Sequence, residues 1–468
     1  MSKIIASIRE ALELCHVKDG MTLGFHHHLR DGDMILNMVT EQLALMGVRD
    51  ITIVMSGLLQ GCFPVVEHIK SGVVTGIKTP AIGSLIGKEL AKGIMKQPAE
   101  MHTHGGLQGA ITSGAAPIDI AFVAASAADN KGNMNGVQGK SAFGSMGFAF
   151  SLAAYAKKVV VVTDTLMPYP LNPISIDETF VDYVVAVDSI GNPDGIESGI
   201  IRVTRDPAGV QIAKYTSDVI VHSGLFRNGM SFQTGGGSIS LAANRYLKEK
   251  MLQSKITGSF LMGGISAASV EMLEAGCFET ILDAQTFSRK AVDSRHHNPR
   301  HQEISGSHYA NPFLPSCAVE SLDIVVLGAT EIDCNFNVNV HTDSNGFVMG
   351  GSGGHGDTAW GSKLCIIVGP FLRTRLPLVV DELVCTSTPG EYVDVLVTQF
   401  GIAVNPRNAE LHERLVAAGL PVTDIRKLRK FAVEISGVGE KPSFGDHVVA
   451  SVKWRDGTTL DEIRNPVV

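Results

Sequence analysis

A glycine-rich stretch in the second half of the chain has the composition of a ligand-binding loop. Five glycines lie between Gly350 and Gly356, interrupted only by Ser352 and His355. Glycine reaches backbone angles closed to other residues and carries no side chain, so a ligand can approach the main chain closely. If Asp357 lies in the first turn of a helix, free amides there would face an anion or an oxygen that becomes negative. The alternative is a flexible turn between two strands.

The same stretch also matches the GxGxxG pattern of dinucleotide-binding loops, from Gly351 to Gly356. That pattern belongs after the first strand of a compact βαβ unit. Here it lies late in its unit, and the preceding residues 335–341 are polar. The context therefore disfavours a nicotinamide nucleotide as the ligand.

Histidines form three groups, at His26–His28, at His102 and His104, and within 296–308. Consecutive side chains point in different directions, so at most two of the first three could share a metal ion. Pro299 disfavours a helix through the third group, and the chain has no CxxC or HExxH motif. We therefore predict no metal site. His26–His28 then either form hydrogen bonds around a site at the end of a strand or face solvent on a loop.

An α/β fold has to position these residues. Continuous apolar runs at 118–125 and 159–164 are typical of parallel strands covered by helices on both faces. Further strands are predicted at 21–25 and 50–54, and a turn at 128–133. Apolar periodicity predicts helices over 4–17 and 33–46, and a glycine-led helix is predicted over 144–153.

The second half repeats the first. Asp323, in an apolar run, matches Asp119 at a shift of 204 positions, and the run 364–369 follows 159–164 at a shift of 205. A strand followed by a helix is predicted at 258–275, in the same order as at 23–46. The segment 394–398 also resembles the segment 182–186. The pattern predicts an internal duplication with two tandem α/β domains and largely parallel sheets.

The boundary is predicted after Thr234–Ser238, which gives domains 1–237 and 238–468. A duplicated open-sheet protein binds its ligand between the copies, beyond the carboxyl ends of strands. The stretch Gly350–Gly356 occupies that kind of position in the second copy, and Gly144–Gly147 is its degenerate counterpart in the first.

Composition narrows the class of protein. A chain of 468 residues exceeds one ordinary core, and its net charge of −8 without a sustained basic run argues against nucleic acid or anionic membrane as a partner. Seven scattered cysteines indicate buried free thiols in a reducing compartment. The amino-terminal residues have a helical pattern instead of that of a signal peptide, and no apolar run reaches membrane-spanning length. We expect a cytoplasmic enzyme.

Several motifs resemble those of coenzyme A transferases. Asp129–Asn133 is similar to their ADxxGN turn, and Glu331–Asp333 followed by Gly350–Asp357 is similar to their EVD…GGxGGxxD pattern. With Gly24–His28 and Gly306–Ala310, the chain more closely resembles the citrate lyase alpha-subunit family, over essentially its whole length. The resemblance implies two coenzyme A transferase-like (NagB/RpiA-like) domains.

The resemblance also implies a reaction. Members of that family exchange acetyl for citryl on a carrier protein, so that acetyl-carrier and citrate give citryl-carrier and acetate. A beta subunit then cleaves citryl-carrier, and a gamma subunit is the acyl carrier protein. The implied co-substrate is acyl-CoA or the CoA-like prosthetic group of the carrier, with no permanently bound cofactor. An oligomer is expected.

The chain departs from related coenzyme A transferases at their catalytic glutamate. Aligning 281–288 with that segment places Gln285 at the glutamate, with Asp283 as the alternative if the register differs. An amide carries no charge and does not attack a thioester as a carboxylate does. We therefore expect no glutamyl thioester. The citrate carboxylate would attack the carrier thioester directly in a ternary complex, which agrees with what the resemblance implies.

Direct exchange requires two partners held in near-attack geometry and donors for the thioester oxygen. The predicted catalytic residues are Gln285 and the loop residues Gly353, Gly354 and His355, whose amides would stabilise that oxygen. A tricarboxylate requires cationic and polar groups. The candidates for this role are His26, His27, His28, Arg30, Asn133, Arg295, His296, His297, Arg300 and Asn345.

Three other functions fit parts of the sequence. One is a stand-alone coenzyme A transferase or acyl-CoA hydrolase, and another is a sugar-phosphate isomerase or binding protein of the same fold. A nucleotide-linked oxidoreductase is the third. Neither the sugar-phosphate protein nor the oxidoreductase explains the two turn motifs and the glycine loop together. The sequence does not distinguish citrate from citramalate as the substrate.

Overall fold

The structure of this chain is a computed structural model that describes residues 2–197 and 204–467. Helices and strands alternate along most of its length. The helices are α1 (Ile8–Leu14), α2 (Ile35–Leu45), α3 (Val65–Lys70), α4 (Ser84–Leu90), α5 (His104–Ser113), α6 (Ala149–Tyr155), α7 (Pro207–His222), α8 (Ser238–Ser254), α9 (Ala267–Glu274), α10 (Arg289–His297), α11 (Gly306–Ala310), α12 (His355–Gly361), α13 (Ala409–Ala417) and α14 (Ile425–Ser436).

The strands fall into two large sheets and three small ones. They are β1 (Ile4–Ile5), β2 (Thr22–Phe25), β3 (Ile51–Met55), β4 (Val74–Thr79), β5 (Ala99–Met101), β6 (Ile120–Ala125), β7 (Ala127–Asp129), β8 (Met134–Asn135), β9 (Lys158–Thr163), β10 (Leu166–Met167), β11 (Tyr183–Ala186), β12 (Phe232–Thr234), β13 (Gly258–Ile265), β14 (Phe278–Thr286), β15 (His301–Glu303), β16 (Ile324–Gly328), β17 (Glu331–Asp333), β18 (Val338–Asn339), β19 (Leu364–Val368), β20 (Leu372–Arg373), β21 (Leu376–Pro377), β22 (Val379–Val380), β23 (Val395–Thr398), β24 (Gly401–Val404), β25 (Ser443–Lys453) and β26 (Thr459–Val467).

The two large sheets are nearly all parallel. The first has the order β1-β11-β9-β6-β2-β3-β4-β5-β25-β26, and the second has the order β15-β14-β13-β12-β16-β19-β23-β24. Only the terminal pairs β25–β26 and β23–β24 are antiparallel among these strands. All residues of β6 and β19 are buried, as expected for parallel strands with helices on both faces. The predicted α/β class with largely parallel sheets is confirmed.

The predicted duplication is visible in the strand order. Leu23 of β2 pairs with Ile120 of β6, and Phe232 of β12 pairs with Ile324 of β16, 204 positions after Ile120. Thus β12 is the counterpart of β2, and β13 is the counterpart of β3. The prediction that matched 258–265 with 23–25 was therefore one strand out of step, because β12 is only three residues long and escaped detection.

A second detail of the duplication concerns the turns. Asp129 accepts hydrogen bonds from the backbone of residues 131–133 and from Asn133 Nδ2 at 2.7 Å. Asp333 accepts equivalent bonds from the Asn335 and Asn337 amides and from Asn337 Nδ2 at 2.8 Å. The two motifs that carried the resemblance are thus one turn present twice, in the small sheets β10-β7-β8 and β18-β17-β22.

The sheets divide the chain differently from the predicted boundary at 237/238. Helix α7 packs against α8, and its residues Ile212, Val219 and Ile220 belong to the core of the second sheet. Strand β12 also lies in the second sheet. The carboxyl-terminal hairpin β25–β26 returns to the first sheet beside β5. We call the structure around the first sheet the first unit and that around the second sheet the second unit.

Two helices begin later than predicted. Residues 4–5 form β1, and α1 begins after Ser7, whose hydroxyl accepts from Glu10 N while Glu10 Oε2 accepts from Ala6 N. This reciprocal capping is encoded by a serine followed three residues later by a glutamate. Helix α6 begins at Ala149, because Gly144 has a φ of +93° that a helix does not allow.

The described residues contain no helix that is both long enough and apolar enough to cross a membrane. All seven cysteines are free thiols, and six of them are buried. The cytoplasmic location stays a prediction.

Candidate functional site

A cavity of about 360 Å³ lies between the two units. It opens at the carboxyl ends of β12, β13, β14 and β16, where an α/β sheet is expected to bind ligands, and its volume suits a small molecule. The second unit supplies residues 233–237, Gly263, Gly264, Ala284, Gln285, Phe287, Tyr309, Leu327, Gly328, Val340 and 349–355, and the first unit supplies Arg30, His104 and Phe148.

The glycine loop Gly350–Gly354 forms one wall of this cavity and touches the first unit. A methyl group added at Gly351 would overlap the Pro80 carbonyl oxygen, so only glycine fits there. Gly353 has a φ of +51°. The loop is therefore glycine-rich because it is wedged against another backbone as well as lining a cavity.

Of the three amides predicted to stabilise an oxyanion, one is free. The Gly353 amide donates to Pro80 O at 3.4 Å, and the His355 amide donates to Ser352 O at 2.7 Å. Among the residues that the structure describes, the Gly354 amide has no acceptor. A methyl group at Gly354 would overlap the Tyr309 hydroxyl, so this amide lies beside a second hydrogen-bond donor.

The His355 side chain holds the loop in place. Its Nε2 donates to Gly328 O at 3.0 Å, and its Nδ1 accepts from Thr388 Oγ1 at 2.8 Å. Burial lowers the pKa of His355 to about 4. Because both ring nitrogens are occupied, this side chain is not available as a general base.

Gln285 lines the cavity near the end of β14, beside Gly264 of β13. Its Nε2 donates to His27 O at 3.4 Å. The alternative residue Asp283 is fully buried away from the cavity, with His301 Nε2 at 3.1 Å from its Oδ2. The register of β13 and β14 shifts by one residue between Asp283 and Gln285. The two side chains therefore have different surroundings, Asp283 in the core and Gln285 at the cavity. The structure thus places an amide, not a carboxylate, at this end of β14.

Arg30 is a half-buried cation that lines the cavity, and its Nε is buried without a hydrogen-bond partner among the described residues. Its φ of +56° is unusual for a residue with a side chain. The guanidinium lies 4.7 Å from the centre of the Phe287 ring, and burial lowers the pKa of Arg30. Among the described residues no carboxylate forms an ion pair with it. A half-buried guanidinium that forms no ion pair with the described residues is a ready site for a carboxylate ligand.

The predicted group His26–His28 lies behind Gln285, around a space of only about 10 Å³. Its ring nitrogens contact Ala124 O at 3.0 Å, Ser56 Oγ at 2.6 Å and Asp33 Oδ2 at 2.9 Å, respectively. Burial lowers the pKa of His26 to about 3. Burial also opposes protonation of His28, but the Asp33 carboxylate outweighs it and raises the pKa of His28.

The strand registers explain why this place is closed. Counting on from the paired residues of β2 and β12, His26–His28 occupy the positions that Gly235–Gly237 occupy in the second unit. Three imidazoles fill the crevice in one copy, and three glycines leave it open in the other. The duplicated fold therefore has two equivalent crevices, of which one is a cavity.

The other predicted binding residues do not line the cavity. Asn133 is bound within its turn and donates to Glu178 Oε2 at 3.0 Å. Asn345 is exposed on the turn 343–347. Arg295, His296 and His297 line a separate surface depression around α10, where Arg295 lies 3.6 Å from Glu303 Oε2. Arg300 donates to Leu273 O at 3.2 Å.

Sequence reasoning missed several lining residues. The run Gly235–Gly237 predicted only the end of the first domain, although a glycine run between a short apolar strand and a helix is the same signal as at Gly350–Gly356. His104 was considered only as a metal ligand. Gln233 gave no sequence signal, and Tyr309 belonged to the motif Gly306–Ala310 but was assigned no role. The two side chains meet at the cavity wall, with Gln233 Nε2 donating to the Tyr309 hydroxyl at 2.9 Å.

Asp357 of the glycine motif joins the units without lining the cavity. It accepts from Thr103 Oγ1 and from the Gly105 amide, both at 2.8 Å, and lies 3.4 Å from Arg455 Nε. Thr103 and Gly105 lie at the start of α5, and Arg455 lies in the hairpin β25–β26. Burial raises the pKa of Asp357 to about 6, against the lowering effect of Arg455.

Known proteins resemble the whole chain. Residues 1–466 match the family model described as citrate lyase, alpha subunit (CitF). The chain is 44% identical to the citrate lyase alpha chain of Klebsiella pneumoniae over 462 residues, which is 99% of this chain and 91% of that protein. It is 44% identical to the citrate lyase alpha chain of Escherichia coli K12 over 461 residues, which is 98% and 90% of the two chains.

Solved structures agree with these relatives. A Streptococcus mutans crystal structure, described as the alpha subunit of citrate lyase in complex with citrate, has a TM-score of 0.98 and 43% identity, covering 100% of this chain and 92% of that one. The alpha subunit of a malonate decarboxylase from Acinetobacter baumannii has a TM-score of 0.68 at 17% identity, covering 94% and 93%. The latter shares the fold.

Proposed function

The chain belongs to the citrate lyase alpha-subunit family, the transferase subunits of citrate lyase, and from this premise we propose that its inter-unit cavity exchanges acetyl for citryl on a carrier thioester. One observation carries the proposal: the same cavity is lined by a half-buried guanidinium without an ion pair and by a backbone amide without an acceptor, as far as the described residues go. The first suits a carboxylate and the second suits a carbonyl oxygen.

Arg30 is the anchor for citrate. Its guanidinium offers planar donors in a setting with little water, where a charge-assisted hydrogen bond is strong. The Phe287 ring, whose centre lies 4.7 Å from the guanidinium carbon, fixes the orientation of the planar guanidinium group. Binding one carboxylate there leaves another carboxylate of the same molecule free to react. The citrate-bound relative from Streptococcus mutans supports citrate as the ligand of this family.

The exchange then proceeds in two displacement steps. A citrate carboxylate oxygen attacks the acetyl carbonyl carbon, and the carbon–sulfur bond breaks. The products of this step are the carrier thiolate and a citryl–acetyl anhydride. The thiolate then attacks the citryl carbonyl carbon, the anhydride carbon–oxygen bond breaks, and acetate leaves. No water, oxidant or reductant is consumed. Each tetrahedral intermediate places negative charge on a carbonyl oxygen, where a donor such as the Gly354 amide contributes about 3 kcal/mol.

Gln285 keeps this route free of a covalent enzyme intermediate. Its amide is held by His27 O and has no nucleophilic oxygen to offer a thioester. Its second N–H and its carbonyl remain for the substrates. The enzyme therefore holds both substrates together, and proximity replaces much of the entropic cost of a bimolecular reaction.

The proposed partners are those that the family resemblance implies. The thioester is carried by an acyl carrier subunit, the gamma subunit, on a CoA-like prosthetic group, and a beta subunit consumes the citryl thioester. Acyl-CoA is a substitute for the carrier. No permanently bound cofactor is required, because the reaction exchanges one acyl group for another at the same oxidation state.

An exchange assay tests the proposal. Purified protein is incubated with acetyl-coenzyme A and ¹³C-labelled citrate, and thioesters and acetate are followed by mass spectrometry. We expect labelled citryl thioester and unlabelled acetate in equal amounts, with no glutamyl alcohol after borohydride reduction of the protein. Acetate without citryl thioester would indicate an acyl-CoA hydrolase instead. Replacing citrate by citramalate in a parallel assay tests the acid specificity.

A further inference from the structure

The duplicated fold forms the same junction twice, once in each unit. In the open crevice the His104 amide at the start of α5 donates to Gly353 O at 2.7 Å. In the closed crevice the Gly306 amide at the start of α11 donates to Gly147 O, also at 2.7 Å. Each amide follows a hydroxyl residue that caps its helix, Thr103 or Ser305. His104 and Gly306 therefore occupy equivalent positions.

The two positions differ in what a side chain would meet. At Gly306 an added methyl group would overlap the Phe148 ring, so the closed crevice has no room for a side chain. At His104 the imidazole lines the cavity. Its Nε2 lies 3.3 Å from where a methyl group at Gly353 would stand, which is next to the free amide of Gly354.

The His104 ring packs against two other rings. Its centre lies 4.5 Å from that of the Phe148 ring and 6.1 Å from that of the His27 ring, which is tilted by only 7°. The ring packing and the backbone bond to Gly353 together fix the position of Nε2 relative to the glycine loop. A fixed donor needs no reorganisation during the reaction.

The surroundings also fix the tautomer. Nδ1 is buried and has no hydrogen-bond partner among the described residues. A proton there would be an unsatisfied buried donor, which is costlier than an unsatisfied lone pair. The proton therefore resides on Nε2, which faces the cavity. Burial lowers the pKa of His104 to about 3, so the ring is neutral at neutral pH.

We propose that neutral His104 is a catalytic hydrogen-bond donor, whose Nε2–H binds the thioester carbonyl oxygen together with the Gly354 amide. The proton stays on Nε2 throughout, and the bond shortens as the oxygen becomes negative. The donor pair spans the two units, with His104 from the first and Gly354 from the second. This inference rests on the proposed acyl exchange and adds a residue to it.

The test compares two substitutions at one position. His104→Phe keeps a ring packed against Phe148 and His27 but removes the donor, and His104→Gln keeps an N–H near the position of Nε2. His412→Phe, on the exposed face of α13, is the matched control. We expect His104→Phe to lower kcat about 10²- to 10³-fold with the KM for citrate changed less than about threefold. The kcat of His104→Gln should lie within about tenfold of that of wild type, and the kcat of the His412→Phe control should equal that of wild type.

Each outcome decides. Wild-type kcat in folded His104→Phe would overturn the inference, as would an equal loss in folded His104→Phe and His104→Gln. If His104→Phe does not fold, His104→Gln alone decides, because a hundredfold loss there contradicts a donor role. Absence of exchange in the wild type would instead refute the proposed function. Nitrogen NMR of labelled histidine provides a readout independent of rate, in which the His104 signal is assigned by its loss in His104→Gln. From pH 5 to 8 this signal should be that of the Nε2–H tautomer. The signal of an Nδ1–H tautomer would overturn the inference.

Discussion

At the scale of single residues, the cavity separates the groups that bind from those that support. Arg30 and Gln285, both singled out from the sequence, line the cavity. His26–His28 and Asn133 are bound within the protein instead. A histidine or asparagine gives the same sequence signal whether its polar atoms face a ligand or a carbonyl. Only the packing around it distinguishes the two cases.

The first residue-scale prediction concerns Arg30. Arg30→Gln should raise the KM for citrate about 10- to 100-fold, because a hydrogen bond to a charged group contributes about 1.5–3 kcal/mol. The KM for acetyl-coenzyme A should not change. Steady-state kinetics with each substrate varied in turn measures both constants. Arg295→Gln is the matched control in the surface depression, and a larger effect there than at Arg30 would place citrate outside the cavity.

The second residue-scale prediction concerns the missing glutamate. Gln285→Glu should not increase kcat, because a carboxylate this poorly solvated would compete with citrate for Arg30 without completing the family's covalent machinery. Rate measurement with borohydride trapping and peptide mass spectrometry checks both points. A trapped adduct at position 285 with an undiminished rate would contradict the argument that this site works only by direct attack of citrate.

At the scale of elements, the glycine loops hold the units together as well as forming the cavity. The loop Gly350–Gly354 packs on the end of β4, and its counterpart at Gly144–Gly147 packs on the end of β14, where the Ser145 amide donates to Thr286 Oγ1 at 3.0 Å. Each copy thus inserts its loop against a strand end of the other. The sequence predicted both loops but not this exchange, because the contact joins residues about 140 or 270 positions apart.

This packing predicts different responses of two adjacent glycines. Gly351→Ala should destabilise the protein by about 1–3 kcal/mol, since the new methyl group overlaps the Pro80 backbone and something must shift. Gly350→Ala should have little effect on stability, because the nearest atom to its new methyl group is Val340 O at 3.5 Å. Denaturant titrations of both variants measure the difference. Equal stability of the two variants would mean that the loop does not lie against β4.

At the scale of the whole molecule, the repeated fold contains two equivalent crevices, one open and one closed. Equivalent positions carry Gly235–Gly237 in the open crevice and His26–His28 in the closed one. One copy therefore supplies most of the cavity wall, and the other supplies three cavity residues, Arg30, His104 and Phe148. The functional asymmetry arises from side-chain volume on a nearly symmetric backbone.

The contact between the units should respond to pH through Asp357. Its pKa is raised from 3.8 to about 6 by burial, so between about pH 4 and 6 the folded protein keeps a proton that the unfolded chain releases. Stability from this group is therefore largest below pH 4 and falls as pH rises through that window. The stability advantage of wild type over Asp357→Asn should shrink by about 2 kcal/mol from pH 4 to 7. Urea titrations at each pH measure it, and a constant difference would contradict the raised pKa.

The sequence predicted much of the architecture and less of the site. Buried strands such as β6 and β19 are recognisable because every residue in them is apolar or small, and the 204-residue shift of Asp323 from Asp119 revealed the copies. The predicted boundary differs from the division between the sheets because the glycine run Gly235–Gly237 was interpreted as the end of the first domain, whereas β12 and α7 before it belong to the second sheet. His104, Gln233 and Tyr309 were missed because they come from separate elements that only tertiary packing brings together.

A crystal structure of this protein soaked with citrate tests the central claim most directly. We predict citrate in the inter-unit cavity, with one carboxylate within hydrogen-bond distance of the Arg30 guanidinium and another beside the Gly354 amide and His104 Nε2. Citrate bound at the surface depression around Arg295–His297, with the cavity empty, would contradict the assignment of the site.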